Sequence, residues 1–210
     1  MAHPKITRRE IIKSAAAVGA LGAVGFPSAV FADGGGKRRI RWDLIDIVAP
    51  TPGTRGEIRA GGEDTASSAK DTKLNLFGSG TFRPGHPREV TGGGTWTSDN
   101  PVVGVSGTYR VTELISWVRA PGTLAGAPFN DHIGNLADTR AGLAVLRIKY
   151  SDGSDGVLVL SCNLNGTPQS VDEGINASKG FVNFFMPAEA TFGNHSNRTA
   201  FHALGEEEGD

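Results

Sequence analysis

The chain has 210 residues with 21 basic and 22 acidic side chains, and its formal net charge is −1 at pH 7. No basic stripe runs along it, which excludes the charge pattern of a typical nucleic-acid-binding domain. Its single cysteine, Cys162, excludes an intrachain disulfide.

The N-terminal segment, residues 1–32, predicts an export signal. Four basic residues open the chain: Lys5, Arg8, Arg9 and Lys13. An apolar run rich in Ala and Gly follows over Ser14–Phe26, and the small-residue exit Val30–Ala32 completes the order of a signal peptide. The run is too short to span a membrane, which takes roughly 20 apolar residues. An ordinary amphipathic helix with chance arginines is the alternative.

Residues Thr7–Lys13 resemble the twin-arginine pattern, which is read by an export receptor and is not an anchor. The resemblance implies that the twin-arginine export machinery binds the chain through Arg8 and Arg9. It also implies a bacterial protein that is periplasmic or extracellular and keeps no stable membrane anchor after cleavage.

Removal of this segment leaves residues 33–210, which are enough for one domain with its own core. The removed part holds four basic residues and one acidic residue, so the remainder has 17 basic and 21 acidic side chains and a net charge of −4. We expect the domain over residues 33–187. Residues 188–210, which end in the acidic run Glu206–Asp210, are predicted to form a disordered tail.

Short runs of alternating apolar and polar residues, broken by Gly, Pro, Asn and Asp, predict an all-β fold. The predicted strands are, in chain order, Ile40–Val48, Glu57–Ala60, Lys73–Phe82, Glu89–Thr97, Val105–Val118, Gly142–Tyr150, Gly156–Leu164 and Phe181–Met186. Gly61–Asp71 and Ala120–Arg140 are predicted to be loops, and Ser151–Asp155 a hairpin turn. Seven or eight strands favour a single closed antiparallel up-and-down barrel of about eight strands. A two-sheet β-sandwich is the alternative.

A Gly-Thr-aromatic tripeptide occurs three times, ending at Phe82, Trp96 and Tyr109. The repeats are almost evenly spaced, at an interval that matches one strand plus one turn, so we expect the three aromatic rings on neighbouring strands. Each glycine would relieve crowding or permit a sharp bend, and each aromatic residue would fill the core. Together with Trp117, these rings are the candidate ligand-binding residues of a barrel lumen. The alternative is that they are ordinary core residues.

The long predicted strand Val105–Val118 carries the candidate catalytic residue. Strict alternation places Glu113 on the same face as Tyr109 and Val111, and a carboxylate in an apolar lumen can act as a general acid or base. Arg147, on a neighbouring strand, is its candidate partner. The run is long for one strand, so we also expect a bulge near Glu113, which would turn that side chain to solvent. A purely structural Glu113–Arg147 pair is a further alternative.

Other catalytic and metal-binding patterns are weak. Gly104–Thr108 lacks the last glycine of a serine-hydrolase elbow, and Asp131-His132 is a lone polar pair on a predicted loop. Asp152–Gly156 resembles half of a calcium loop, but a hairpin turn explains it better. We therefore predict no metal site and no cofactor. Cys162 ends an apolar strand, where a buried structural thiol is expected.

Several segments resemble a group of bacterial twin-arginine-exported small β proteins with no assigned activity. They are Gly78–Phe82, Val90–Trp96, Gly107–Leu114, Ala141–Ile148 and Tyr150–Gly153, and the resemblance spans roughly residues 72 to 182. The strand rhythm is loosely similar to that of allene oxide cyclase and dirigent-type barrels, which bind or steer apolar molecules in the lumen. No functional residue of those barrels aligns with this chain.

Three functions follow as hypotheses. The first is an exported β-barrel that binds a small apolar or aromatic ligand in its lumen. The second is a cofactor-independent cyclase or isomerase that uses Glu113 and Arg147. The third is a structural or interaction protein of the cell envelope.

Overall fold

A computed structural model describes residues 38–205, so the predicted signal peptide lies outside the described residues. The structure is nearly all β, with 58% of the residues in strands and no α-helix among those described. One 3₁₀ turn occurs, at Leu136–Asp138. The all-β fold class that the alternating sequence pattern predicted is therefore confirmed.

Thirteen strands join into one large sheet. They are β1 Ile40–Val48, β2 Gly56–Ala60, β3 Asp64–Ser67, β4 Lys73–Arg83, β5 His86–Ser98, β6 Ser106–Ala120, β7 Phe129–Asp131, β8 Thr139–Tyr150, β9 Asp155–Cys162, β10 Gly174–Lys179, β11 Val182–Phe184, β12 Met186–Pro187 and β13 Thr199–Ala203. All pairings are antiparallel except that of β2 with β7. The predicted β8–β9 hairpin is confirmed, with Gly142 opposite Cys162 and Lys149 opposite Asp155.

Six strands form a cycle of hydrogen-bonded pairs in the order β1, β4, β5, β6, β8 and β13, with β13 returning to β1. The strands are not arranged evenly around one axis, so the cycle does not establish the predicted closed barrel of about eight strands. The remaining strands extend the sheet on either side of this cycle.

Two glycines of the repeat lie opposite tryptophan residues on neighbouring strands. Gly80 lies opposite Trp42 on β1, and the β5–β6 register sets Trp96 opposite Gly107. A Cβ atom on either glycine would lie 2.8 Å from the neighbouring indole nitrogen. Glycine at these two positions therefore leaves room for the indole ring.

Strand β6 contains the predicted bulge, and a second one follows it. The register with β8 shifts between Val111 and Glu113 and again between Leu114 and Ser116. Each extra residue reverses the alternation, because successive side chains on a strand point to opposite faces. Leu114 therefore becomes buried, and Ile115 becomes 46% exposed.

Five strands have no counterpart of their own in the sequence-based prediction: β3, β7, β10, β12 and β13. The predicted loop Gly61–Asp71 contains β3, and the predicted loop Ala120–Arg140 contains β7. The prediction that a disordered tail begins at residue 188 is wrong for residues 188–205. This segment contains β13, which is fully buried and pairs with β1 and β8. The acidic end, 206–210, lies outside the described residues.

Candidate functional site

A cavity of about 270 Å³ lies beside β1 and β13 and is called the β1/β13 pocket below. It borders a small hydrophobic cluster, separate from the main core, that contains Ile45, Ile47, Ile58 and Ala200. Ile45 and Ile47 of this cluster alternate along β1 with Trp42 and Leu44 of the main core, so β1 buries both of its faces. A strand with two buried faces makes room for a cavity outside the main core.

Both apolar and polar side chains line the pocket. Its apolar residues include Ile45, Ile47, Ile58, Leu124, Phe129 and Phe192. Its polar residues are Thr139, Asn163, Asn165, Glu173, Arg198, Thr199 and His202. An apolar wall with a few converging polar groups is the usual composition of a small-molecule site.

Glu173 is a partly buried carboxyl group at the pocket wall. Its Oε2 accepts a hydrogen bond from the backbone N–H of Asn163 at 2.6 Å, and its Oε1 accepts one from that of Thr199 at 2.8 Å. Burial outweighs these donors and the nearby Arg198, and raises the pKa of Glu173 from 4.5 to about 7. The carboxyl group thus connects the end of β9 to the start of β13.

Arg198 is the cation of the pocket. Its Nε donates to the backbone oxygen of Thr191 at 2.7 Å, and its guanidinium carbon lies 5.2 Å from the ring centre of Phe192. Its own backbone N–H donates to Asp64. Three independent contacts therefore fix the residue, and the guanidinium stays at the cavity lining.

His202 and Asp131 form a buried pair next to the cavity. His202 Nε2 lies 2.8 Å from Asp131 Oδ2, and both side chains are 3% exposed. The other carboxylate oxygen accepts from the backbone N–H groups of Ile133 and Gly134. Burial raises the pKa of Asp131, but the hydrogen bond from His202 and these backbone donors outweigh it, so the net shift is downward. His202 Nδ1 has no hydrogen-bond partner within residues 38–205.

Cys162 also lines the pocket, and its burial agrees with the prediction of a structural thiol. Desolvation raises the pKa of this thiol well above its usual value. A thiol that stays protonated is a poor nucleophile.

The candidate catalytic pair Glu113 and Arg147 is brought together, but on the solvent side of the sheet. Arg147 Nε donates to Glu113 Oε2 at 2.8 Å, and the side chains are 52% and 40% exposed for Arg147 and Glu113. The expectation that Glu113 faces an apolar interior is wrong, because the bulge after Val111 reverses the alternation. This placement corresponds to the alternative of a bulge and a structural pair.

Three of the four candidate ligand-binding aromatics lie inside the main core. Phe82, Trp96 and Tyr109 are at most 4% exposed, and Trp117 is partly buried. Phe82 packs on Trp117 with ring centres 5.3 Å apart, while Trp96 and Tyr109 each pack on Tyr150. None of the four lines the β1/β13 pocket. Their rings pack in the core, which corresponds to the alternative that they are ordinary core residues.

The weaker sequence signals separate in the structure. Asp131 pairs with His202, whereas His132 lies at the surface against Glu57. Residues 38–205 contain no group of three or more His, Cys, Asp or Glu side chains that would hold a metal ion. The same residues contain no helix with the length and apolarity that a membrane crossing requires.

Sequence analysis missed Glu173, Arg198 and His202 as pocket residues. Glu173 stands just before the start of β10, Arg198 just before that of β13, and His202 within β13. No local spacing connects them. The one weak signal for the pocket was the length of the segment 121–138, which contributes Leu124 and Phe129 to its lining. Long connections in compact domains are often functional.

No family model, curated protein or solved structure matches the chain.

Proposed function

We propose that the protein binds a small, mainly apolar molecule in the β1/β13 pocket. One observation carries the proposal: a cavity of about 270 Å³ with an apolar wall and a few polar groups that are held by the backbone. An apolar cavity of roughly 150 Å³ already holds benzene, so this one has room for a single ring with a short substituent. This proposal assigns the ligand to the face of β1 that carries Ile45 and Ile47, and not to the barrel lumen that the sequence analysis expected.

Native mass spectrometry of the mature protein from its own host tests the proposal. Leu124 is half-buried over the pocket, so Leu124→Trp should fill the cavity with its indole ring. Val118→Trp is the matched control, because Val118 is 61% exposed and does not line the pocket. We expect a bound small molecule in the wild type and in the control, and none in Leu124→Trp. Equal occupancy of all three proteins would place the ligand elsewhere.

The six-stranded cycle is proposed to act as a flattened barrel that supports the pocket. Pairing of β13 with both β1 and β8 supports this, since closure removes free edges there. Amide hydrogen exchange tests it. Slow exchange throughout β13 is expected, and exchange as fast as in the surface turns would argue for an open sheet.

We propose that the protein meets its ligand outside the cytoplasm, after export. The support is the twin-arginine pattern and the signal-peptide order of residues 1–32. Replacing Arg8 and Arg9 with lysine should retain the full-length protein in the cytoplasm, and normal export of this variant would contradict the proposal.

An isomerase-type reaction is the second candidate, and the Asp131–His202 pair favours it. A carboxylate that orients an imidazole beside a cavity is a common arrangement for proton transfer. The co-purified molecule should then exchange a C–H hydrogen in D₂O with the wild type and not with His202→Gln. No exchange with the wild type would leave only the binding role.

A further inference from the structure

The guanidinium of Arg198 has unused hydrogen-bonding capacity at the pocket. An arginine carries five N–H donors, and only Nε–H of Arg198 is donated, to Thr191. Within residues 38–205 neither terminal nitrogen has an acceptor, and no carboxylate lies within ion-pairing distance. Stacking on Phe192 holds the planar group in place. This arrangement is ready to bind an anion.

The only carboxyl group that lines the pocket within the described residues does not compete for Arg198. Both oxygens of Glu173 already accept backbone N–H groups, from Asn163 and Thr199. Its raised pKa also means that a good part of the group is uncharged near neutral pH, which reduces its repulsion of a bound anion. Glu173 therefore leaves the terminal nitrogens of Arg198 open to an acceptor supplied by a ligand.

The rest of the pocket determines the body of the ligand. Ile45, Ile47 and Ile58 present aliphatic surface, and Leu124 and Phe129 complete that wall. This wall suits an apolar body and offers no second cation. A ligand with one negative charge at one end and an apolar ring or short chain at the other satisfies both parts.

We propose that the ligand is a small monocarboxylic acid whose carboxylate binds the guanidinium of Arg198 and whose apolar body lies against the isoleucine wall. This rests on the proposed function of the β1/β13 pocket and specifies its ligand class. The planar, two-pronged guanidinium matches a carboxylate with two parallel hydrogen bonds, which a hydroxyl group cannot form.

Calorimetric titration with three probes of similar size tests the proposal: benzoate, benzyl alcohol and benzylamine. The wild type should bind benzoate roughly tenfold or more tightly than benzyl alcohol, the usual gain for a charge-assisted hydrogen bond, and benzylamine least. Equal affinities, or a preference for benzylamine, would overturn the ligand class. If the three probes bind the wild type equally and none of them binds Leu124→Trp, the pocket is still supported as the binding site. Absence of binding by all three probes would count against the pocket itself.

Two variants assign the preference to Arg198. Arg198→Gln should reduce benzoate affinity to that of benzyl alcohol, whereas Arg198→Lys should keep part of the preference because it keeps the charge. Arg59→Gln is the control, since Arg59 is exposed and pairs with Glu57 away from the pocket. Unchanged benzoate preference in Arg198→Gln would overturn the proposal. Should that variant not fold, the wild-type comparison of the three probes still decides.

Discussion

Ionisation of Glu173 should make the folded state less stable as the pH rises towards neutrality. Burial raises the pKa of this carboxyl group from 4.5 to about 7, so the folded protein holds the proton more tightly than the unfolded chain does. The resulting stabilisation is fully present below pH 4.5, declines as the pH rises and is gone above pH 7. A difference of this size in pKa corresponds to about 3 kcal/mol.

Glu173→Gln isolates this effect, because glutamine stays neutral at every pH. Its amide NH₂ must face one of the two backbone N–H donors that the carboxyl group accepts, which costs about 1–3 kcal/mol at any pH. The variant should therefore be clearly less stable than the wild type near pH 4.5. The difference in free energy of unfolding should shrink by about 3 kcal/mol by pH 7.5.

Urea unfolding of both proteins, followed by tryptophan fluorescence at several pH values from 4.5 to 8, measures the difference. The comparison cancels titrating groups that do not interact with Glu173. Asp64 does interact with it: burial raises the pKa of Asp64 and the Glu173 charge raises it further, so removal of that charge acts in the same direction as the effect measured. A difference between the two proteins that stays constant, or that widens as the pH rises, would refute the reasoning about Glu173.

Three further substitutions test the fold by denaturation. Gly80→Ala should destabilise the protein by about 2 kcal/mol or more, because its Cβ would lie 2.2 Å from a backbone oxygen, whereas Gly205→Ala meets no atom within 4 Å and should be neutral; equal stability of the two would contradict this. Glu113→Gln removes an exposed pair and should cost less than about 1 kcal/mol without changing ligand binding, and a larger loss would show a role that the structure does not explain. Lys179→Met removes an ammonium group that lies 4.5 Å from the ring centre of Trp96 and also binds Asp152 and Ser154. The loss should cost about 1–3 kcal/mol, and an unchanged unfolding midpoint would argue against these contacts.

The parts of the fold that local patterns determine could be predicted from the sequence. β1 begins and ends where the alternation of Ile40, Trp42 and Leu44 indicates, and the turn residues around Gly153 predict the β8–β9 hairpin. The even spacing of the Gly-Thr-aromatic repeat predicts that β4, β5 and β6 are neighbours, as they are.

Strands that depend on distant partners could not be predicted in the same way. β13 has only five residues, and its burial comes from pairing with β1, which lies far from it in the sequence. Neither its length nor its composition indicates that partner. β7 is a short strand that pairs in parallel with β2, so no hairpin turn marks it.

The candidate site was mislocated for a related reason. Strict alternation carried past Val111 gave Glu113 the wrong face. The length of the run predicted a bulge near Glu113, but the position of the extra residue depends on the pairing with β8. Glu173 and Arg198 are brought to one pocket by the position of β13, which pairs with β1 and β8. Their burial and hydrogen bonds are tertiary effects, and no local spacing announces them.

The most direct test of the central claim is an NMR titration of the ¹⁵N-labelled mature protein with benzoate. Binding in the β1/β13 pocket predicts amide shifts concentrated at Asn163–Asn165 and Thr199–His202, equally in Val118→Trp and lost in Leu124→Trp. Shifts centred on the aromatic core around Trp96, shifts that persist in Leu124→Trp, or no shifts at millimolar benzoate would contradict it.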